Sequence, residues 1–210
     1  MRKSLGKTNI GEIGLRKALA RDIPIIEEVF ARAFDADPFL NWYVLPGKRR
    51  KERIIRSFDI LIREIAMEHD QIFTTTDSIK GGAVWVPPGK WEMGILRQLS
   101  LMRLTPRITG LSRLFTRILG LLMIEDKHPK VDHYCLLTLG VDPPYQNRGI
   151  GSALLRYVIK DCDDKGIPAY LETALEKDVR FYKSHGFEIR GTLTMPAKGP
   201  MVWLMWRDPR

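Results

Sequence analysis

From His133 to Val141 the chain is apolar almost without a break, Tyr134-Cys135-Leu136-Leu137-Thr138-Leu139-Gly140-Val141, until Asp142-Pro143-Pro144-Tyr145 stops it. A run without alternation reads as a strand buried on both faces, and such a strand needs other layers packed above and below its sheet. Gly140 inside it predicts a bulge or the close approach of a ligand backbone. Behind the strand, Gln146-Asn147-Arg148-Gly149-Ile150-Gly151-Ser152 places two glycines ahead of a helical repeat formed by Ile150, Ala153, Leu154, Tyr157 and Val158. Strand, glycine turn and helix in that order imply a mixed α/β fold.

The flanking segments fit that class. Asp22 before Ile23-Pro24 opens a helix with Ile26, Val29, Phe30, Ala33 and Phe34 on one face, ending near Asp37-Pro38. Ile54, Ile55, Phe58, Leu61, Ile62 and Ile65 mark a second helix. Gln71 to Thr75 and Ile79 to Val86 read as a hairpin closed by Pro87-Pro88-Gly89. One or two helices follow, broken at Thr105-Pro106, and form an insertion over about 91–124. After the glycine turn come a strand at Ala169 to Thr173, a short helix around Val179 to His185 ended by Gly186, and strands at Glu188 to Thr194 and Met201 to Trp206. At 210 residues and 44% hydrophobic content, a single domain over 1–210 is expected.

The net charge of +9 attracts polyanions, whether nucleic acid, acidic lipid or a phosphorylated small molecule. It gathers at Lys48-Arg49-Arg50-Lys51-Glu52-Arg53 and over Met93 to Ile124, where Arg97, Arg103, Arg107, Arg113 and Arg117 lie in a stretch with no acid. Solvated helix faces are the simplest use of both clusters. They lack interleaved aromatics, and no nucleic-acid motif is present, so a nucleic-acid partner is not expected. A helix lying on a membrane surface is an alternative for the arginine-rich stretch, although packing against the domain is the commoner outcome. No apolar run reaches the length of a membrane span, and no secretory signal is visible. Cys135 and Cys162 make no disulfide framework, and no His/Cys group has zinc spacing, so a cytoplasmic protein without metal is expected.

The glycine turn carries the chemistry. The first amides of a helix lack internal partners and its dipole favours an anion, so residues 146–152 can cradle a phosphate. A P-loop would need lysine after Gly151. A dinucleotide fingerprint would need Gly or Ala where Leu154 stands.

Gln146, Gly149 and Gly151 instead resemble the Arg/Gln-x-x-Gly-x-Gly/Ala pyrophosphate loop of the GNAT superfamily of acyl-CoA-dependent N-acyltransferases. Leu139-Gly140-Val141 ahead of it, and Phe181-Tyr182-Lys183-Ser184-His185-Gly186-Phe187 behind it, are similar to two further family motifs in the family's order. Leu137 to Pro143, Tyr170-Leu171-Glu172-Thr173 and the stretch Phe34 to Pro46 resemble the puromycin N-acetyltransferase branch most.

The resemblance implies a mostly antiparallel central sheet flanked by helices, and acetyl transfer from acetyl-CoA to a primary amine in a ternary complex, with no metal. The amine is expected to belong to a small molecule. A protein or peptide amine, or a silent acyl-CoA-binding regulator, is the alternative. The resemblance implies that Leu139, Gly140 and Val141, with Gln146, Asn147, Arg148, Gly149, Ile150, Gly151 and Ser152, bind the cofactor, their backbone amides freed by a bulge near Gly140. Tyr182 is then the acid that protonates the thiolate. Glu172, near a strand end, is a candidate base or a substrate-orienting group. Asp178 stands where many members carry Asn, a departure that weakens the cofactor contact expected there. Phe34, Asp37 and Trp42 fall in the acceptor region, as does the stretch from Trp91 to Ile124. His133 reads as a structural histidine with a second base as alternative, and both cysteines as buried thiols. Monomer and homodimer are both open.

Overall fold

A computed structural model describes residues 13–91 and 103–210. Seven strands make one sheet in the order β1-β2-β3-β4-β5-β7-β6, with β1 Leu15–Lys17, β2 Ile72–Thr75, β3 Gly81–Val86, β4 Tyr134–Val141, β5 Ala169–Thr173, β6 Glu188–Thr194 and β7 Met201–Arg207. Every neighbouring pair is antiparallel except β4 and β5. The expected mixed, mostly antiparallel sheet is therefore observed.

Helices cover both faces. Helix α1 (Ile23–Ala33), α2 (Pro38–Tyr43) and α3 (Arg50–Leu61) lie on one side, where Ile26, Phe30, Ile54, Phe58 and Val84 share a core. The other side holds α6 (Ile150–Lys165) and α7 (Glu176–Lys183), with Leu154, Leu155 and Val158 packed on Ala83, Trp85 and Leu136. Ala83 and Trp85 go to one core and Val84 to the other, as the two-residue period of a strand requires. Between β3 and β4 stand helical residues 103–109, here α4, and α5 (Leu114–Lys127). The break in this stretch falls at Gly110, with φ of +75°, and Thr105-Pro106 lies within α4, so the expected break at Pro106 is corrected. Part of the arginine-rich stretch, including Arg97, lies outside the described residues. β1 was not anticipated, since three residues carry too little periodicity to register.

Gly140 acts differently from the sequence expectation. It is paired in register with Gly82 on β3. A Cβ at Gly140 would stand 2.7 Å from Phe30 Cδ1 and 2.9 Å from Phe34 Cε2, and one at Gly82 would stand 3.2 Å from Phe30 Cζ. The two glycines thus flatten the sheet so that the aromatic face of α1 can seat on it. The irregularity in β4 lies at Leu137, between the pairs Val84↔Thr138 and Trp85↔Leu136, and not near Gly140. Beyond Leu136↔Leu171 no further pairing of β4 with β5 is formed, so the two parallel strands part.

No described helix is long and apolar enough to cross a membrane. The described arginines of the basic clusters are largely engaged. Arg113 and Arg117 donate to the Trp42 carbonyl at the end of α2, Arg113 also to that of Val44. Cations are favoured at such a helix C-terminus. Arg50 pairs with Asp35, Lys51 with Glu28 and Arg49 with Glu52.

Candidate active site

Where β4 and β5 part, a cavity of about 390 Å³ opens, lined by Cys135–Leu139 on one strand and Glu172–Ala174 on the other. Its remaining walls come from Phe34, from α2, α3, α4 and α5, and from Asp178 and Tyr182 on α7. Phe34, Asp37 and the inserted residues Trp91 and Ile124 line it as the sequence suggested. Trp42 does not belong to the described lining. It is buried between α5 and the β6–β7 turn, donating from Nε1 to Pro196 O at 2.8 Å and lying beneath the Arg117 guanidinium at 4.5 Å. An acceptor-facing role for Trp42 is therefore corrected. The large ring fills space left by Gly120 and Gly199, where a Cβ would come within 2.5 and 2.8 Å of it.

Glu172 sits two residues after Tyr170 on the same face of β5, and its Oε1 accepts from the Tyr170 hydroxyl at 2.9 Å. Burial raises the Glu172 pKa to about 7, Glu125 adding to the rise and the Tyr170 hydrogen bond opposing it. Tyr182, held in α7 by ring contacts with Phe181 and Phe187, is 8% exposed. Burial, and secondarily the Asp178 charge, raises its pKa and keeps the phenol neutral. Asp37 caps α2 by accepting from Leu40 N at 2.8 Å, and burial raises its pKa. Asp178 borders the cavity beside Tyr182, and burial raises its pKa as well.

The glycine turn lies at the far end of β4. Gly149, with φ of +83°, is the residue before α6, and Asn147 has φ of +59°. A left-handed residue at each place turns the chain sharply from the short 3₁₀ turn Pro143–Tyr145 into the helix. The amides of Ile150, Gly151 and Ser152 open the helix without intrahelical partners. No acidic residue occupies the first turn, and Gln146, Asn147 and Arg148 are exposed around it. Arg32 anchors the entry to the turn with two 2.8 Å hydrogen bonds to Asp142. An anionic group fits this concavity.

His133 is buried, with Nδ1 at 2.7 Å from Val131 O and Nε2 at 3.1 Å from His128 Nε2. Since a carbonyl only accepts, His133 carries its proton on Nδ1. Burial lowers both histidine pKa values, that of His128 to about 3. Together with Cys135 their ligand atoms lie within 4.8 Å of one another, close enough to share a cation. The sequence spacing did not reveal this grouping, because the turn before β4 folds His128 back under its ring stack with Trp91. The thiols of Cys135 and Cys162 are both buried, and burial raises both pKa values, that of Cys162 to about 12.

Residues 104–187 match the family model described as Acetyltransferase (GNAT) family. That segment is similar to the GNAT family. It runs from α4 through the parting strands and the glycine turn to Phe187. A relative named L-amino acid N-acetyltransferase AaaT, from Escherichia coli strain K12, is 34% identical over 80 residues, an alignment covering 36% of this chain and 49% of the relative. The chain thus spans about half the length of the curated relative it matches. A structure titled histone acetyltransferase HPA2 and related acetyltransferase, from Corynebacterium glutamicum, shares the fold with a TM-score of 0.68 at 23% identity, over 94% of this chain and 96% of the other. The ribosomal-protein-S18-alanine N-acetyltransferase from Escherichia coli follows the fold with a TM-score of 0.52 at 15% identity, covering 92% of each chain. The likeness to the GNAT family is thus carried by residues 104–187 and by the alignment to the curated relative, the two solved structures show the fold alone, and none of them supports the narrower likeness to the puromycin N-acetyltransferase branch.

Proposed function

We propose that the chain, folded as one domain, is an acetyl-CoA-dependent N-acetyltransferase acting on the primary amine of a small molecule. The observation that carries this reading is that Glu172 and Tyr182 border one cavity, at the point where β4 and β5 part. The likeness of the matched segment to the GNAT family and the amino-acid acceptor named for the 34% identical relative support it.

The amides opening α6, with Gln146, Asn147, Arg148 and Gly149, are the groups for the pyrophosphate, and the edge of β4 from Leu139 to Val141 for the pantetheine arm. Bound acetyl-CoA would supply an activated thioester. Amine acceptors arrive mostly protonated, so a base must first remove a proton. Glu172, with a pKa of about 7, is substantially ionised at neutral pH and strong enough to take it. Tyr182 keeps its proton at the Oη atom and is, in this reading, the acid for a departing thiolate. The cavity walls hold the amine and exclude water, replacing a bimolecular encounter by a positioned one. Asp178 belongs to the acceptor side in this reading.

The test is thiol release from acetyl-CoA against a panel of primary amines. Release that depends on the amine, with acetylated amine detected by mass, is the expected result. Absence of release across the panel sinks the proposal.

A further inference from the structure

Within that acetyltransferase reading, on which this inference rests, the cavity's charge narrows the acceptor. The charged residues of its described lining are Asp37, Glu125, Glu172 and Asp178, with no lysine, arginine or histidine among them. None of these carboxylates forms an ion pair among the described residues. Acids elsewhere do: Asp22 with Arg16, Asp142 with Arg32, Asp163 with Arg207. In a chain of net charge +9 this is a pronounced segregation of sign. Two arginines of the insertion, Arg113 and Arg117, are committed to the carbonyls that end α2.

The acids fall into two neighbourhoods. Asp178 acts electrostatically on Asp37 and Tyr182, and Lys177, outside the lining, offsets part of the charge on Asp37 and Asp178. Glu125 acts on Glu172 and Tyr170, and holds the Trp91 indole at 3.1 Å. Apolar walls, including Phe39, Phe58, Ile108 and Leu137, complete the lining. A second, independent observation points to a ligand. Tyr182 borders the cavity with its side chain buried, and its hydroxyl has no hydrogen-bond partner among the described residues.

We infer that the acceptor is a dicationic amine, a primary ammonium joined through an apolar spacer to a second positive charge, and that it carries no carboxylate. One cationic end meets Glu172 and Glu125, the other Asp37 and Asp178, and the spacer lies along the aromatic and aliphatic walls. A free carboxylate would be driven among acids without ion-pair partners, of which Glu125 alone is exposed to solvent and the other three are buried or half-buried. The acceptor therefore differs from the amino acid named for the curated relative.

The test uses the full chain with acetyl-CoA and three matched acceptor series: α,ω-diaminoalkanes of increasing length, the corresponding monoamines, and the ω-amino acids that replace the second ammonium with a carboxylate. At the best length, kcat/KM for the diamine should exceed that of the monoamine about tenfold and that of the ω-amino acid by about 100-fold, chiefly through KM, as loss of one favourable charge contact and then its replacement by a repulsive one imply. The same diamine should raise Tm, and the ω-amino acid should not. Asp178→Asn and Glu125→Gln should each shrink the diamine-to-monoamine ratio, and Asp178→Glu should restore it. Equal use of the ω-amino acid, or a ratio unmoved in both neutralising variants, overturns the inference while leaving the acetyltransferase reading intact. No thiol release with any amine overturns that reading and this inference together.

Discussion

Replacing Glu172 by Gln should move activity and stability in opposite directions, because one cause underlies both. Glutamine keeps the size of the side chain and an oxygen for the Tyr170 hydroxyl, and it removes the ionisable group. Losing a general base typically lowers the rate by about 10²–10⁴-fold. In the unaltered protein, kcat/KM for an amine should rise with pH up to about 7 and then level, as Glu172 loses its proton. The variant should lack that limb. Stability follows the opposite sign. Below pH 4.5 the carboxyl is protonated in both folded and unfolded chains; between 4.5 and about 7 only the folded chain holds the proton, so stability falls as pH rises. Above about pH 7 the cost is complete, roughly 3 kcal/mol at most for a rise from 4.5 to about 7. Glu172→Gln removes it, so the variant should melt several degrees higher at about pH 8 and at the same temperature as the parent at about pH 4. Rate profiles and melts over that range read both arms. A variant that retains the pH limb, or that melts lower at high pH and not at low pH, refutes the reasoning.

Two further outcomes follow from the same structure. Gly151→Val places a Cβ 3.6 Å from Phe181 Cζ and 3.7 Å from Val141 Cγ2, ordinary contacts, so the unliganded fold should persist while the stabilisation by acetyl-CoA, about 2.7 kcal/mol at 100 times Kd, disappears from thermal melts. Glu27 on α1 is buried with Oε1 unpartnered among the described residues, and burial raises its pKa to about 7, so Glu27→Gln should also raise stability at about pH 8 and not at about pH 4, without changing kcat, as melts and turnover together will show.

The sequence was legible wherever one segment carries its own signal. The apolar run ending at Val141 announced β4, and the left-handed Gly149 opens α6 where the turn chemistry placed it. Tyr170 and Glu172 could have been paired from the sequence alone, since two residues apart on a strand share a face. Gly140 shows the limit. A glycine in a strand declares that something comes close, but only the fold reveals that it is Phe30 and Phe34. Trp42 was misread for a related reason: an aromatic near a pocket and an aromatic filling the gap over Gly120 have the same sequence signature. Trp91 meets Glu125 across the insertion, and His128 meets His133 through the turn before β4, pairings that no local periodicity encodes. The charge of the cavity is likewise a property of convergence, since Asp37, Glu125, Glu172 and Asp178 are scattered along a basic chain.

The most direct test of the account is single-turnover thiol release by Tyr182→Phe, with acetyl-CoA binding measured on the same protein. The change removes one hydroxyl from a ring whose contacts with Phe181 and Phe187 remain. The chemical step should slow by about 100-fold or more, in line with loss of a general acid, with acetyl-CoA affinity and Tm nearly unchanged. An undiminished chemical step in the folded variant would contradict the acid role of Tyr182.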